Sequence, residues 1–203
     1  RARCAAVRVP KRRRDWLLGR WTAKHLVRAY LADNGRSAPL NELIIRADPD
    51  GAPFAALLGE RLPLSLSISH SGAFSFCALT DRLGATVGAD VEMIEPRPLS
   101  LAEQFFTPEE LAAVLARSED ERDLWMTLVW SAKEAFLKCI KEGLRVDTRA
   151  VTVALPESVG GEGAWQPLAV TARADLMAVT RAYQSWWRRE REVILTLGLL
   201  SRT

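Results

Sequence analysis

Between Asp15 and Asp33, Trp16, Gly19, Ala23, Leu26, Val27 and Tyr30 recur at helical spacing, which predicts a first helix. Arg20, Lys24 and Arg28 form an i, i+4, i+8 stripe on another of its faces, and Asn34-Gly35 supplies a stop. The period then falls to two. A strand is predicted over Glu42–Ala47, closed by the turn Asp48-Pro49-Asp50-Gly51. From Leu62 to Ser69 the chain alternates: Leu62, Leu64, Leu66 and Ile68 face one way, and Ser65, Ser67 and Ser69 the other. Ala73–Thr80 and Ala85–Ile94 read as a hairpin around Asp81-Arg82-Leu83-Gly84. Pro96-Arg97-Pro98 breaks the pattern and marks a boundary between two subdomains, residues 1–97 and 98–203.

The second part opens with helices. Thr107-Pro108-Glu109-Glu110 reads as a capping box with proline at the first helical position. A long helix is predicted from Leu124 to Lys141, with Trp125, Leu128, Val129, Ala132, Ala135, Phe136, Cys139 and Ile140 on its buried face. Thr127, Ser131, Glu134, Lys138 and Lys141 line the opposite face, with Trp130 at its border, and Glu142-Gly143 ends the helix. Strand-like alternation follows over Ala150–Leu155, Gln166–Ala172, Met177–Trp186 and Val193–Leu200.

Composition narrows the chemistry. The chain has 203 residues, enough for one large or two small domains, and is 48% hydrophobic and 26% charged, as in a protein with a core. Three Cys (Cys4, Cys77, Cys139) argue against a disulfide framework and fit a reducing, cytoplasmic setting. With only two His (His25, His70), a Cys/His zinc site is excluded in favour of a hard cation held by carboxylates. The net charge of +3 hides an asymmetry: residues 1–36 hold eleven basic and two acidic residues, whereas Asp90–Asp123 holds ten acidic and three basic ones. A basic head fits an anionic partner or, equally, a solvated helix. No segment is long and apolar enough for a membrane span, no signal-peptide core is present, and a start at Arg1 fits a trimmed N-terminus.

Asp90 and Glu92 are two apart in a predicted strand and share a face, where two carboxylates repel unless a cation or donor intervenes. Two exposed strand charges are the plain alternative. Gly88 nearby suggests close approach of another backbone or a ligand. Glu134 and Lys138 are i, i+4 on the long helix, either a surface ion pair or a carboxylate beside a phosphate-binding lysine. Ser67-Ile68-Ser69-His70-Ser71-Gly72 ends a strand with groups able to bind an anion. There is no P-loop, no Gly-x-Gly-x-x-Gly and no Gly-x-Ser-x-Gly elbow.

Ser-Ile-Ser-His-Ser at 67–71, Val-Gly-Ala-Asp-Val-Glu at 87–92 and Trp-Ser-Ala-Lys-Glu-Ala-Phe-Leu-Lys at 130–138 together resemble the Sfp-type 4′-phosphopantetheinyl transferases. The 44-residue interval from Asp90 to Glu134 is that of the family. Leu17-Leu18-Gly19-Arg20, Gly51-Ala52-Pro53, Phe105-Phe106-Thr107 and Lys141-Glu142-Gly143-Leu144 also resemble its landmarks in order. The resemblance implies an α/β (α+β) fold of two similar helix-plus-antiparallel-sheet subdomains related by a pseudo-twofold, with the active site at their junction. It implies Mg²⁺-dependent transfer of the phosphopantetheine arm of coenzyme A to a serine of an acidic acyl or peptidyl carrier protein, with release of 3′,5′-ADP, by a monomer that binds neither nucleic acid nor membrane.

On that resemblance Asp90, Glu92 and Glu134 are the metal ligands, Glu134 is the base, and Lys138 holds phosphate oxygens. Ser69 and His70 contact CoA phosphates, Arg3 falls on a basic position that binds the 3′-phosphate, and Arg20 and Lys24 reinforce it or meet the carrier. Met93, Ile94, Leu99 and Leu101 resemble a carrier-docking region, though a buried linker is equally compatible with them. The family's Gly-Lys-Pro is Gly51-Ala52-Pro53 here, so a lysine near the nucleotide is missing. Two alternatives remain from the residues themselves: a nucleic-acid-binding module, suggested by the basic head and seven Trp, and an inactive homologue that binds carriers.

Overall fold

A computed structural model describes residues 10–158, 161–176 and 181–202. Helix α1 (Pro10–Asp33) starts five residues before the expected Asp15 because Pro10 is tolerated at a helix start. It buries Ala23, Val27 and Leu31 in a cluster with Leu43, Ile45, Ala55, Leu62, Leu64 and Leu66. Strands β1 (Leu43–Ala47), β2 (Pro53–Leu57) and β3 (Glu60–Arg61) form a small antiparallel meander. The alternation did not reveal β2 or β3, because Pro-Phe-Ala-Ala-Leu and a two-residue strand carry no period.

Strand β4 (Ser65–Ser71) pairs with β5 (Phe74–Thr80), and β6 (Thr86–Met93) pairs with the last strand of the chain, β11 (Val193–Arg202). The expected hairpin of residues 73–94 is therefore replaced by two different pairings. The order β6-β11-β10-β8 makes the largest sheet, with β10 (Arg181–Glu190) and the short β8 (Gln166–Pro167). Strands β7 (Val151–Ala154) and β9 (Ala169–Ala172) form a separate pair. The result is a mixed helix and antiparallel-sheet architecture.

Edge strand β6 is closed by the serines of β4. Ser65, Ser67 and Ser71 hydroxyls accept from the backbone N–H groups of Val87 (3.1 Å), Ala89 (2.9 Å) and Met93 (3.4 Å). An unpaired strand edge buried without such partners would leave orphaned donors. The polar side of the alternating Leu/Ser strand is thus an interior seam, with Ser67 and Ser69 buried.

Three helices follow: α2 (Leu99–Phe105), α3 (Pro108–Leu115) and α4 (Glu119–Cys139). The Thr107–Glu110 capping box forms at the start of α3. Helix α4 begins earlier than expected, with Glu119, Asp120 and Glu121 in a first turn that favours negative charge, and ends at Cys139 instead of Lys141. Its Leu124, Trp125, Leu128, Val129 and Ala132 pack with Val153, Trp187 and Ile194. Thr127 and Ser131, expected on a polar face, are fully buried because α4 lies on the β6–β11 sheet; the Ser131 and Thr196 hydroxyls are 2.8 Å apart. Gly88 of β6 makes that approach possible, since a Cβ there would collide with the Ala135 carbonyl. Among the described residues no helix is long and apolar enough to cross a membrane.

Candidate active site

Where α4 crosses β6, the sheet presents Asp90 and Glu92 and the helix presents Glu134 and Lys138. Asp90 is buried and stands in register with Thr196 of β11. Its Oδ1 accepts from Ser69 Oγ at 2.7 Å and from Lys138 Nζ at 2.6 Å. Lys138 also donates to the Ala89 carbonyl at 3.1 Å. The second oxygen, Asp90 Oδ2, is buried with no hydrogen-bond partner. A buried carboxylate oxygen without a donor is costly and marks a place where another group fits.

Glu92 receives Arg97 at 2.9 Å and Ser71 Oγ at 3.4 Å. Its carboxyl is nonetheless pushed above the ordinary glutamate range, first by burial and then by the charge of Asp90, with Arg97 opposing. Glu134 is pushed up as well. Burial is the largest cause, Lys138 opposes it, and the negative charges of Asp90 and Glu92 add to it. The three acids therefore sense one another across the helix–strand crossing, with Lys138 and Arg97 only partly neutralising them.

Among the described residues no group of three or more His, Cys, Asp or Glu side chains is arranged to hold a metal ion. As placed, Lys138 occupies one oxygen of Asp90 and Arg97 one of Glu92. The donor set nevertheless fits a hard divalent cation: it is all oxygen, it carries excess negative charge, and one buried oxygen is unused.

The other expected residues have varied settings. His70 is exposed on β4. The Ser69 hydroxyl is committed to Asp90, so it serves the acid before any phosphate. Lys24 donates to the Leu40 carbonyl at 2.9 Å, stapling α1 to the turn before β1. The Arg20 guanidinium lies 3.7 Å over the Trp16 ring. Arg3 lies outside the described residues. Of the docking candidates, Met93 packs with the Val91 cluster, and Ile94 and Leu101 pack on the α4 core. Leu99 alone is exposed, at 42%. The other three are half-buried in that packing.

Two features escaped the sequence. Arg97, read only as part of a proline break, grips Glu92 with a side chain that is 12% exposed. Lys133, the neighbour of Glu134, is completely buried and bonds Glu110 at 2.8 Å and the carbonyls of Thr148 (2.9 Å) and Val151 (2.7 Å). Burial pushes the Lys133 ammonium below the usual lysine range, against the pull of Glu110. The position of Glu110 in a capping box was a signal, but its second partner lies 23 residues away.

A cavity of about 870 Å³ opens beside Lys138, lined by β4, the β5–β6 connection, the Gly51-Ala52-Pro53 turn and the end of α4. Its size suits a nucleotide-sized ligand.

Residues 86–180, which include the acids and α4, match the family model described as the 4′-phosphopantetheinyl transferase superfamily. The match covers just under half of the chain. Curated phosphopantetheinyl transferases are similar to it: psf-1 of Bacillus pumilus is 28% identical over 144 residues, covering 71% of this chain and 57% of that protein. Sfp of Bacillus subtilis strain 168 is 34% identical over 89 residues, 44% of this chain and 38% of that protein. The chain thus spans about two fifths to three fifths of the length of these relatives. Among solved structures, a Thermotoga maritima holo-[acyl-carrier-protein] synthase aligns with TM-score 0.46 and 20% identity over 58% of this chain and 63% of that one. A Chronobacterium ammoniagenes ACPS–CoA complex aligns with TM-score 0.45 and 23% identity over 59% of this chain and 98% of that one.

Proposed function

We propose that this protein transfers the phosphopantetheine arm of coenzyme A to a serine hydroxyl of an acidic acyl or peptidyl carrier protein and releases 3′,5′-ADP. The carrying observation is that β6 and α4 bring Asp90, Glu92, Glu134 and Lys138 within electrostatic reach of one another, beside a nucleotide-sized cavity. The match of residues 86–180 to the transferase superfamily model supports the reading.

In this reaction the serine oxygen attacks the phosphorus that bears the pantetheine, and the bond from that phosphorus to the oxygen of the 3′,5′-ADP leaving group breaks. Glu134 takes the serine proton, directly or through water. Lys138 offers its ammonium to the phosphate oxygens where charge accumulates. Ser69 holds Asp90, and Arg97 holds Glu92, in place. Asp90, Glu92 and Glu134 would hold Mg²⁺, which when bound supplies charge neutralisation of the pyrophosphate. His70 and Arg3 extend the phosphate contacts, and Leu99 belongs to the carrier-facing surface. The site forms at the junction of two halves, residues 1–97 and 98–203, related by a pseudo-twofold, in a monomeric cytoplasmic protein.

The test is incubation of the full chain with CoA, Mg²⁺ and an apo carrier, followed by mass spectrometry of the carrier. One arm should be added, and chelation should abolish the addition. Unmodified carriers across a panel would overturn the proposal. Carrier binding without transfer would identify an inactive binding protein, and steeply salt-dependent DNA binding without CoA binding a nucleic-acid module.

A further inference from the structure

The cavity beside Lys138 has four cations on its walls, and two of them are committed within the fold. Lys138 is held by Asp90. Arg61 is gripped by both oxygens of Asp48, each at 2.8 Å, and stacks 4.2 Å over the Phe54 ring. The remaining two, Lys141 and Arg82, are exposed and line the cavity from opposite elements, the end of α4 and the β5–β6 connection. Neither side chain has an ion pair or a hydrogen bond among the described residues, although the charge of Lys141 is felt at Asp48. Asp81, beside Arg82, is already accepting the Tyr30 hydroxyl at 2.8 Å. The facing turn contributes the uncharged Ala52 and one carboxylate, Asp50, whose side chain already accepts from the Ala52 N–H at 2.9 Å.

Lys141 is one of three described non-glycine residues with positive φ, with Leu58 and Arg191. It follows the C-cap of α4, Ile140, and adopts φ of 61°, the left-handed conformation that glycine fills at helix ends. The turn is tied by Glu142 N–H to the Leu137 carbonyl at 3.2 Å and by Arg145 to the Lys141 carbonyl at 2.6 Å. A lysine kept where glycine would be less strained suggests a use for the side chain.

We propose that Lys141 and Arg82 form a cationic rim that binds phosphate oxygens of the nucleotide substrate, setting the affinity of this chain for it. This rests on the transferase reading above. Both cations bind ground state and transition state alike, so they govern KM and leave kcat unchanged.

Two substitutions at one position separate charge from backbone. Lys141→Gln removes the charge and keeps a strained non-glycine residue. Lys141→Gly removes the charge and relieves the strain. Calorimetric titration of the full chain with CoA should show both variants weakened roughly fivefold or more, as expected for loss of a charge-assisted contact. The thermal midpoint of Lys141→Gly should not fall, and Arg82→Gln should weaken binding further when combined with either. With an apo carrier, KM for CoA rises and kcat stays within about twofold. CoA affinity within twofold of wild type in both Lys141 variants overturns the rim. Weakening in Lys141→Gly alone overturns it too, because the turn's geometry would then be responsible. If the wild type transfers the arm while either result holds, the transferase reading survives; a wild type that binds no CoA takes down both.

Discussion

Lys133 and Glu134 are adjacent on α4, yet they enter two opposite kinds of charged cluster. Lys133 is sealed from solvent, and its ammonium meets one carboxylate and two carbonyls. Its partner Glu110 is equally complete, with Oε2 accepting from Thr107 N–H and Oε1 from Val153 N–H, both at 2.7 Å. The Glu134 side has three acids, two partial counter-charges and an orphaned oxygen on Asp90. Balanced and saturated charge marks an architectural joint, which here ties α3 and β7 to α4. Unbalanced negative charge with an unused lone pair leaves this cluster able to accept a cation or a donor, which the saturated one cannot.

Replacing one group on each side breaks the comparison most sharply. Glu134→Gln should cost roughly 10²–10⁴-fold in phosphopantetheinyl transfer, the usual scale for loss of a general base. It should leave the thermal midpoint level or higher, because a buried carboxyl that resists ionisation is gone. A variant with full activity would remove Glu134 from the chemistry.

On the architectural side, Glu110→Ala leaves Lys133 buried and unpaired and strips the cap of α3. A loss of about 3–5 kcal/mol is expected, a fall of roughly 6–20 °C in the midpoint read by calorimetry. Adding Lys133→Met should recover part of that loss, since an apolar side chain no longer needs a partner. Recovery stays partial because the N–H groups of Thr107 and Val153 still lack their acceptor. A single variant as stable as wild type would contradict the saturated network.

The mildest expected effect is on pH. Glu92 and Glu134 have folded pKa values raised above the ordinary 4.5, so the folded state binds more protons than the unfolded chain over that interval. Their contribution to stability is present below pH 4.5 and is lost as pH rises through the raised values. The metal-free midpoint should therefore decline from about pH 4.5 upward, less steeply in Glu134→Gln, and Mg²⁺ should flatten the decline. Asp48, Glu109, Asp147 and Asp175, whose pKa values are lowered, act in the opposite sense at lower pH, so the two windows separate. Equal slopes in wild type and Glu134→Gln would dissociate Glu134 from the effect.

Local signals carried a long way. Helical periodicity found α1 and α4 within a few residues, because their apolar stripes are uninterrupted. The Thr107–Glu110 motif formed as read, because its bonds close within one turn. The spacing of Asp90, Glu92, Glu134 and Lys138 pointed to a cluster that the fold does bring together, since two residues on a strand and one helical turn place side chains on defined faces. The pairing of β6 with β11, some hundred residues away, has no local signature. Nor has the placement of the Ser65, Ser67 and Ser71 hydroxyls on the edge of β6, since the alternation shows only that they face away from the leucines.

By itself, then, the sequence determined which residues are candidates for the chemistry and that few soft ligands are on offer, because the scarcity of His and Cys and the interval between the acids are properties of the chain. Tertiary structure alone decided how those residues are balanced. It brought Arg97 to Glu92, sent Lys133 inward to Glu110, left Asp90 Oδ2 without a donor and set Lys141 on the cavity wall. Burial and counter-charge depend on elements far apart in sequence, and they distinguish four charged residues that are merely present from four that form a site.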